Sequence, residues 1–541
     1  MTVSSSKSNF SRRKVLKTGA ASVALTSALG IGPKFLNTSA RASDYAPGMT
    51  GGPTGFPGAE RYQYNESMAA GRAIAAMKKL KAEGKAPEKL VCAMADGAVG
   101  HFTKAHPAGA PTSLSVWEKE TGVPIELVGI PLDDLYAKTL QDVTTKAGAY
   151  DIYCCLVNHF GDLADAGGLV NLDEYVAKHK PDWNDPENGV ADNVYSLLYK
   201  YNGSVVGMSF DGDFWTTYYR KDLFGDPTHQ AAYSDKYGKA LAAPVTWDDC
   251  DNIAEYFHGT GIDGHTNYMG KVWGLGTWAN RYVSRGNPNM YFFDLEGNPT
   301  IDSDAGIENT EKHIKYGSYS GNGACYTWSW FEAYGSMAAG TSAYANANTN
   351  LAKFLDRPEA KSEEWLTTTI GGKLDAAMPP GYQHGDDLVR RTVFYGNVST
   401  GISSQSEHPE AAFLFNMWAS STTIYPWLSA NPAGYMDPFQ LSNFRDPMII
   451  EAYHAYAMEI IQKTVNYAAP MLSLPGTQAM HQALDENIQA CFAGTMDAKT
   501  AMQRTAKKWR KIVRKKGEDR MIEAIIADRK AWPTTVDKMP S

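Results

Sequence analysis

A chain of 541 residues with 51 basic and 59 acidic side chains, formally −8 at neutral pH, exceeds what one hydrophobic core supports and predicts two lobes. Its acidic balance repels phosphate backbones and argues against nucleic acid as a partner. The six cysteines, Cys92, Cys154, Cys155, Cys250, Cys325 and Cys491, make neither a C-x-x-C pair nor a Cys/His metal spacing, so most of them read as buried filler and no metal or cofactor is expected.

The first element is an export signal. Arg12, Arg13, Lys14 and Lys17 precede an apolar run from Thr18 to Gly32, and Ala40-Arg41-Ala42 follows as a small-residue cleavage site. The run is shorter than the about 20 residues that span a bilayer. Ser11-Arg12-Arg13-Lys14-Val15-Leu16-Lys17 is similar to a twin-arginine signal, with Val15 where that signal usually has Phe; an ordinary secretory signal is the competing reading. Cleavage is expected before Ser43. Residues 1–42 hold seven basic and no acidic side chains, which leaves 44 basic against 59 acidic residues, a formal charge of −15. No cysteine near the cleavage site offers a lipid anchor, and no later apolar run of about 18 residues spans a membrane. The mature chain is expected in the periplasm, with no membrane insertion.

From Ser43 to Glu60 the chain is a Gly- and Pro-rich lead-in. Ala69, Ala73, Ala76, Met77 and Leu80 then fall at helical spacing. Strands are expected at Lys89–Ala95, Ile125–Ile130 and Tyr150–Val157, and helices at Ser113–Thr121 and Leu132–Lys146, followed by helical turns at Phe160–Ala166 and Leu172–Lys178. This βαβ rhythm predicts an α/β sheet with helices on both faces. Ligands of such sheets bind beyond the carboxyl ends of strands, which makes Asp96, Asn158 and His159 the first candidates. Val205–Phe224 reads as strand, tight turn, strand and helix start. Thr246 can cap a helix opened by Asp248 and Asp249. From Asp446 onward the pattern is nearly all helical, and the basic run Lys507–Lys516 reads as a solvated helix face.

At this point the chain resembles the extracellular solute-binding proteins of ABC importers, in the branch that binds carbohydrates. Four segments carry the resemblance: Tyr150-Asp-Ile with Gly168-Leu-Val-Asn-Leu-Asp173; Gly207-Met-Ser-Phe-Asp-Gly-Asp213 with Tyr219-Arg-Lys-Asp-Leu-Phe224; Gly396-Asn-Val-Ser-Thr-Gly-Ile with His408-Pro-Glu-Ala-Ala-Phe-Leu-Phe415; and Glu486-Asn-Ile-Gln with Gly494-Thr-Met-Asp-Ala and Trp509. Ser209 stands where the family often has Pro. The resemblance implies a two-lobed periplasmic binding protein fold of type II, maltose-binding-protein-like, with hinge crossovers near Phe210–Thr217, Val393–Ser399 and Gly434–Phe444. Lobe one is expected at 43–215 plus 391–440, and lobe two at 216–390 plus 441–541. It also implies a sugar or polyol ligand, delivery to the transmembrane subunits of an ABC permease, and a monomer.

A hydroxyl-rich ligand needs carboxylates and amides for hydrogen bonds and aromatic rings for stacking. Asp211 and Asp213 in the first crossover have the right chemistry, although one of them can equally cap the turn. Trp278 sits in a Gly-rich stretch expected as a loop facing the cleft. Of Trp328 and Trp330, one is expected to face the cleft and one the core. Tyr344 with Asn346, and Tyr395 with Asn397, place an aromatic two residues from an amide, so each pair shares a face if extended; ordinary half-buried strand residues explain the spacing as well. Tyr435, two residues before Asp437, is similar.

The competing function is an exported carbohydrate-active enzyme such as a glycoside hydrolase, which needs two carboxylates about 5–10 Å apart. Asp211 and Asp213 match in type only. No dinucleotide, phosphate-loop or zinc-protease motif is present. A ferric site on Tyr218 and Tyr219 fails because adjacent strand residues point to opposite faces.

Overall fold

The alternating half of the chain folds as its pattern dictates. The computed structural model describes residues 45–104, 109–357, 366–394, 398–431 and 434–540; the export signal lies outside the described residues. α1 (Ala69–Ala82) leads to β1 (Leu90–Ala95), α2 (Ser113–Thr121), β2 (Ile125–Ile130), α3 (Leu132–Thr145), β3 (Ile152–Leu156) and α4 (Phe160–Asp165). Local chemistry sets the limits of these elements. Thr112 caps α2 by accepting from the Ser115 amide, and Gly122 ends it in the left-handed conformation with a φ of 64°.

Further along lie β4 (Gly207–Ser209), β5 (Trp215–Arg220), α5 (Trp247–Gly259), α6 (Gly274–Val283), α7 (Asp304–Gly317), α8 (Trp330–Ala338), β6 (Tyr344–Asn348), β7 (Leu374–Ala377) and β8 (Val398–Ile402). α5 opens with the expected cap: Thr246 accepts from the Asp249 amide, and the Asp249 carboxylate accepts from the Thr246 amide in return. The chain closes through α9 (Pro409–Ala419), α10 (Ala455–Thr464), α11 (Thr477–Phe492), α12 (Ala498–Lys516) and α13 (Glu518–Ala531).

Two principal sheets result. The first has the order β2-β1-β3-β8-β4. β1 runs parallel to β2 and β3, and β8 pairs antiparallel with β3 and β4. Every residue of β3 is buried, as expected of a strand covered on both faces. The second sheet, β6-β5-β7, is antiparallel throughout. The fold is thus the two-lobed, maltose-binding-protein-like α/β type with crossovers. Phe210–Phe214 joins β4 of one sheet to β5 of the other. β8 returns the chain to the first sheet after residues 395–397, and α10 then packs against β5 and β7 of the second.

All six cysteines are free and buried. On α12 the side chains of Lys507, Lys508, Lys511 and Lys515 are exposed, the solvated face its pattern predicts. No helix among the described residues is long and apolar enough to cross a membrane.

Candidate ligand-binding cleft

A cavity of about 390 Å³ lies beyond the carboxyl end of β3, within the range of small-molecule sites. Leu156, Asn158 and His159 form its wall on the side of the first sheet, with Tyr136 from α3. Lys271, Val272 and Trp273, just ahead of α6, form the facing wall. The third side is one stripe of α11: Gln478, His481, Gln482 and Asp485, spaced i, i+3, i+4 and i+7 on a single helix face.

Asp162 fixes that helix to the first sheet's side. Its carboxylate accepts from the amides of Gly476 at 2.7 Å and Gln478 at 3.2 Å, and from the Tyr136 hydroxyl at 3.2 Å. An anion at a helix N-terminus satisfies orphan amides and favours the helix dipole. Tyr136 also packs on the His159 ring, with centroids 5.1 Å apart.

Both cavity histidines are neutral. Burial, reinforced by the neighbouring His481, lowers His159 to about 3, and burial lowers His481 to about 3 as well. His159 is 3% exposed, and its Nδ1 has no partner among the described residues. A buried, unpaired ring nitrogen costs free energy unless a ligand group meets it. Asp485 is pushed up to about 6 by burial, opposed by the Val272 amide that donates to it.

The first crossover brings a second polar group together. Asp211, Asp213 and Asp437 are buried, and each offers a carboxylate oxygen within 4.8 Å of the others. Asp211 Oδ1 accepts from the Asp437 amide at 2.9 Å. Asp437 accepts from the hydroxyls of Thr349 at 2.5 Å and Tyr453 at 2.6 Å. Tyr453 also receives a hydrogen bond from the Lys353 ammonium, at 3.3 Å. Asp213 Oδ1 has no donor among the described residues. Burial and then mutual repulsion push Asp211 and Asp213 far above the usual carboxylate range; Asp437 is raised by burial but held back by its hydroxyl donors and Lys353. Asp437 is therefore the best supported as an anion. Gly212 is required here, because a Cβ would stand 2.6 Å from the Pro438 carbonyl.

Rings connect the two groups. Trp273 packs edge-on against Tyr268 with centroids 6.2 Å apart, and Tyr268 against Trp215 at 4.9 Å, beside the crossover.

The expected site residues separate accordingly. Asn158 and His159 line the cavity, and Asp211 and Asp213 meet at the crossover. Trp330 and Tyr435 pack edge-to-face at 5.4 Å, with His101 on the other side of Tyr435, but neither lines the cavity. Trp328 and Trp330 are both half-buried, so they do not divide between cleft and core. Asp96 is exposed, and its carboxylate accepts from the Gly97 amide of its own turn. Trp278 needs correction. It lies inside helix α6, fully buried, with Nε1 donating to Thr310 and its ring stacked on Tyr282. Tyr344 and Asn346 do share a face of β6, but α5 and α7 cover it. The Tyr344 hydroxyl bonds the Cys250 carbonyl and Tyr316, and Asn346 bonds Thr217. They are core residues. Tyr395 and Asn397 lie outside the described residues. Trp273 and the α11 stripe were missed, although Gly270 and Gly274 flank the tryptophan and the stripe is polar on an otherwise apolar helix face.

Two sheets joined by crossovers, with a cavity beyond the end of β3, make the two-lobed architecture of the solute-binding proteins. Residues 100–423 match the family model described as bacterial extracellular solute-binding protein, and the chain belongs to that family. A curated relative, a probable amino-acid ABC transporter periplasmic-binding protein of Sinorhizobium fredii, is 22% identical over 385 residues, 68% of this chain and 75% of its own. Similar solved structures include a solute-binding protein of Agrobacterium radiobacter in complex with ribitol (18% identity, TM-score 0.64, 78% of this chain and 98% of that one). Another is from Agrobacterium vitis with bound D-mannitol (19%, 0.62, 79% and 99%). A third is the maltose-bound MalE3 of T. maritima (17%, 0.61, 78% and 99%).

Proposed function

We propose that this chain is the substrate-binding component of an ABC importer, exported through its twin-arginine signal, that captures a polyol or sugar and hands it unaltered to the permease. The lobes run over 43–215 plus 391–440 and 216–390 plus 441–541, and binding shifts the open–closed population about the crossovers. The observation that carries the reading is the cavity between β3, the Lys271–Trp273 segment and α11. Its wall offers what hydroxyls need: neutral imidazole, amide and carboxylate acceptors and donors beside Tyr and Trp rings. His159 Nδ1 in the cavity wall and Asp213 Oδ1 at the crossover have no partner among the described residues. The ribitol, mannitol and maltose complexes of similar proteins support this ligand class.

No reaction is assigned. Asp211 and Asp213 pack against Asp437 within the crossover, their carboxylate oxygens within 4.8 Å of one another, and neither lines the cavity. The test is a thermal-shift screen of polyols, sugars and amino acids. A polyol or sugar at about 100 times its Kd adds about 2.7 kcal/mol and raises the melting temperature by a few degrees. Stabilisation by amino acids alone, or turnover of a glycoside, overturns the reading.

A further inference from the structure

Val272 sits in the cavity wall with a φ of 72°. A β-branched residue enters this left-handed region only under constraint, and such strain collects at ligand-binding sites. The segment around it is folded tightly. The Gly274 amide donates to the Gly270 carbonyl at 2.7 Å, and a Cβ on Gly274 would stand 2.4 Å from the Met269 carbonyl. Glycine, which adopts positive φ freely, stands two residues away on either side, at 270 and 274, yet the strained position itself carries Val.

The hold comes from α11. Asp485 Oδ2 accepts from the Val272 amide at 2.9 Å, and one turn further along the same face Gln489 Nε2 donates to the Met269 carbonyl at 3.0 Å. Two side chains of one helix therefore pin both ends of the Met269–Val272 corner. Trp273 follows directly, and its ring lines the cavity. Release of the Val272 amide lets that residue relax to negative φ, which turns the next side chain out of its present direction.

We propose that Asp485 is a positioning residue for ligand capture: by holding the Val272 amide it sets the Trp273 ring in the cavity wall. This rests on the cavity being the ligand site. Helix α11 thus tunes affinity through the backbone of a segment more than two hundred positions earlier in the chain.

Hydrogen exchange on the ligand-free protein tests the hold. The Val272 amide is expected to exchange about 10-fold faster or more in Asp485→Ala than in wild type, while amides inside α6 and α11 stay unchanged. Asp485→Asn keeps an acceptor and keeps the amide slow. Asp485→Leu replaces the Ala variant should that fail to fold. Equal exchange in wild type and the Ala or Leu variant overturns the proposal. Titration with ribitol, D-mannitol and maltose tests the consequence: Asp485→Ala weakens the bound probe about 10-fold, and Val272→Gly added to it restores affinity to within about 3-fold, since glycine takes the conformation unaided. A double variant as weak as Asp485→Ala overturns the proposal, because Asp485 then touches the ligand itself. If wild type binds none of the probes, the proposed ligand class fails while the exchange result still decides the role of Asp485.

Discussion

The two sheets use the same residue types to opposite ends. At the first, the helical turn after β3 (Val157–His159) carries Asn158 and His159, and both line the cavity. At the second, β6 carries Tyr344 and Asn346, and both are sealed beneath α5 and α7. Connection accounts for the difference. Parallel strands joined by crossover helices have those helices on their faces, which leaves their carboxyl ends free for ligand. The antiparallel sheet has no shared carboxyl end, and the helices that cover its face take up its polar groups in fixed hydrogen bonds. An aromatic beside an amide is therefore a binding pair in one setting and a core pair in the other.

That contrast breaks most decisively at Trp278. If it is core, Trp278→Ala costs about 3–5 kcal/mol, read as a large drop in the denaturant midpoint, with ligand affinity of the folded fraction unchanged. Weakened affinity at unchanged stability would return Trp278 to the cleft. The next effect is on the cavity side. Asp485 binds its proton more tightly in the folded chain, about 6 against an ordinary 3.8, so its ionisation on folding is unfavourable. Its contribution to stability falls as pH rises from about 4 to 6 and is constant above. Two units correspond to about 3 kcal/mol. Asp485→Asn removes this dependence, so the stability of the variant minus that of wild type is expected to rise by up to about 3 kcal/mol between pH 4 and pH 7; a flat difference contradicts the burial assigned to Asp485. The smallest effect sharpens the second sheet. Tyr344→Phe deletes the bonds to Tyr316 and the Cys250 carbonyl and costs about 1 kcal/mol, with no change in ligand affinity.

The legible parts of the sequence were those with local causes. Apolar runs and capping residues placed β1 to β3, the helices between them and the Thr246 cap within a residue or two, because period and capping act over a few neighbours. The ends of β1 and β3 followed from topology, yet only Asn158 and His159 reached the cavity; Asp96 turned back on its own Gly97. Trp278 was misplaced because glycines at 274 and 276 read as a loop. In the fold Gly274 serves close packing at the start of α6, where a Cβ would strike the Met269 carbonyl. The α11 stripe and Trp273 were not legible, since nothing local brings residues 271–273 beside 478–485. That juxtaposition comes from long-range packing, with Asp162 capping α11 from 314 residues away. Asp437 joining Asp211 and Asp213 is of the same kind.

Calorimetric titration of ribitol, D-mannitol and maltose into wild type and His159→Ala tests the central claim most directly. One molecule is expected to bind per chain of wild type, and at least about 10-fold more weakly to the variant as its buried ring contact is lost, with the ligand-free variant still folded though lower in melting temperature from the cavity left beside Tyr136. Equal affinity in the two proteins, or no binding of any of the three by wild type, contradicts it.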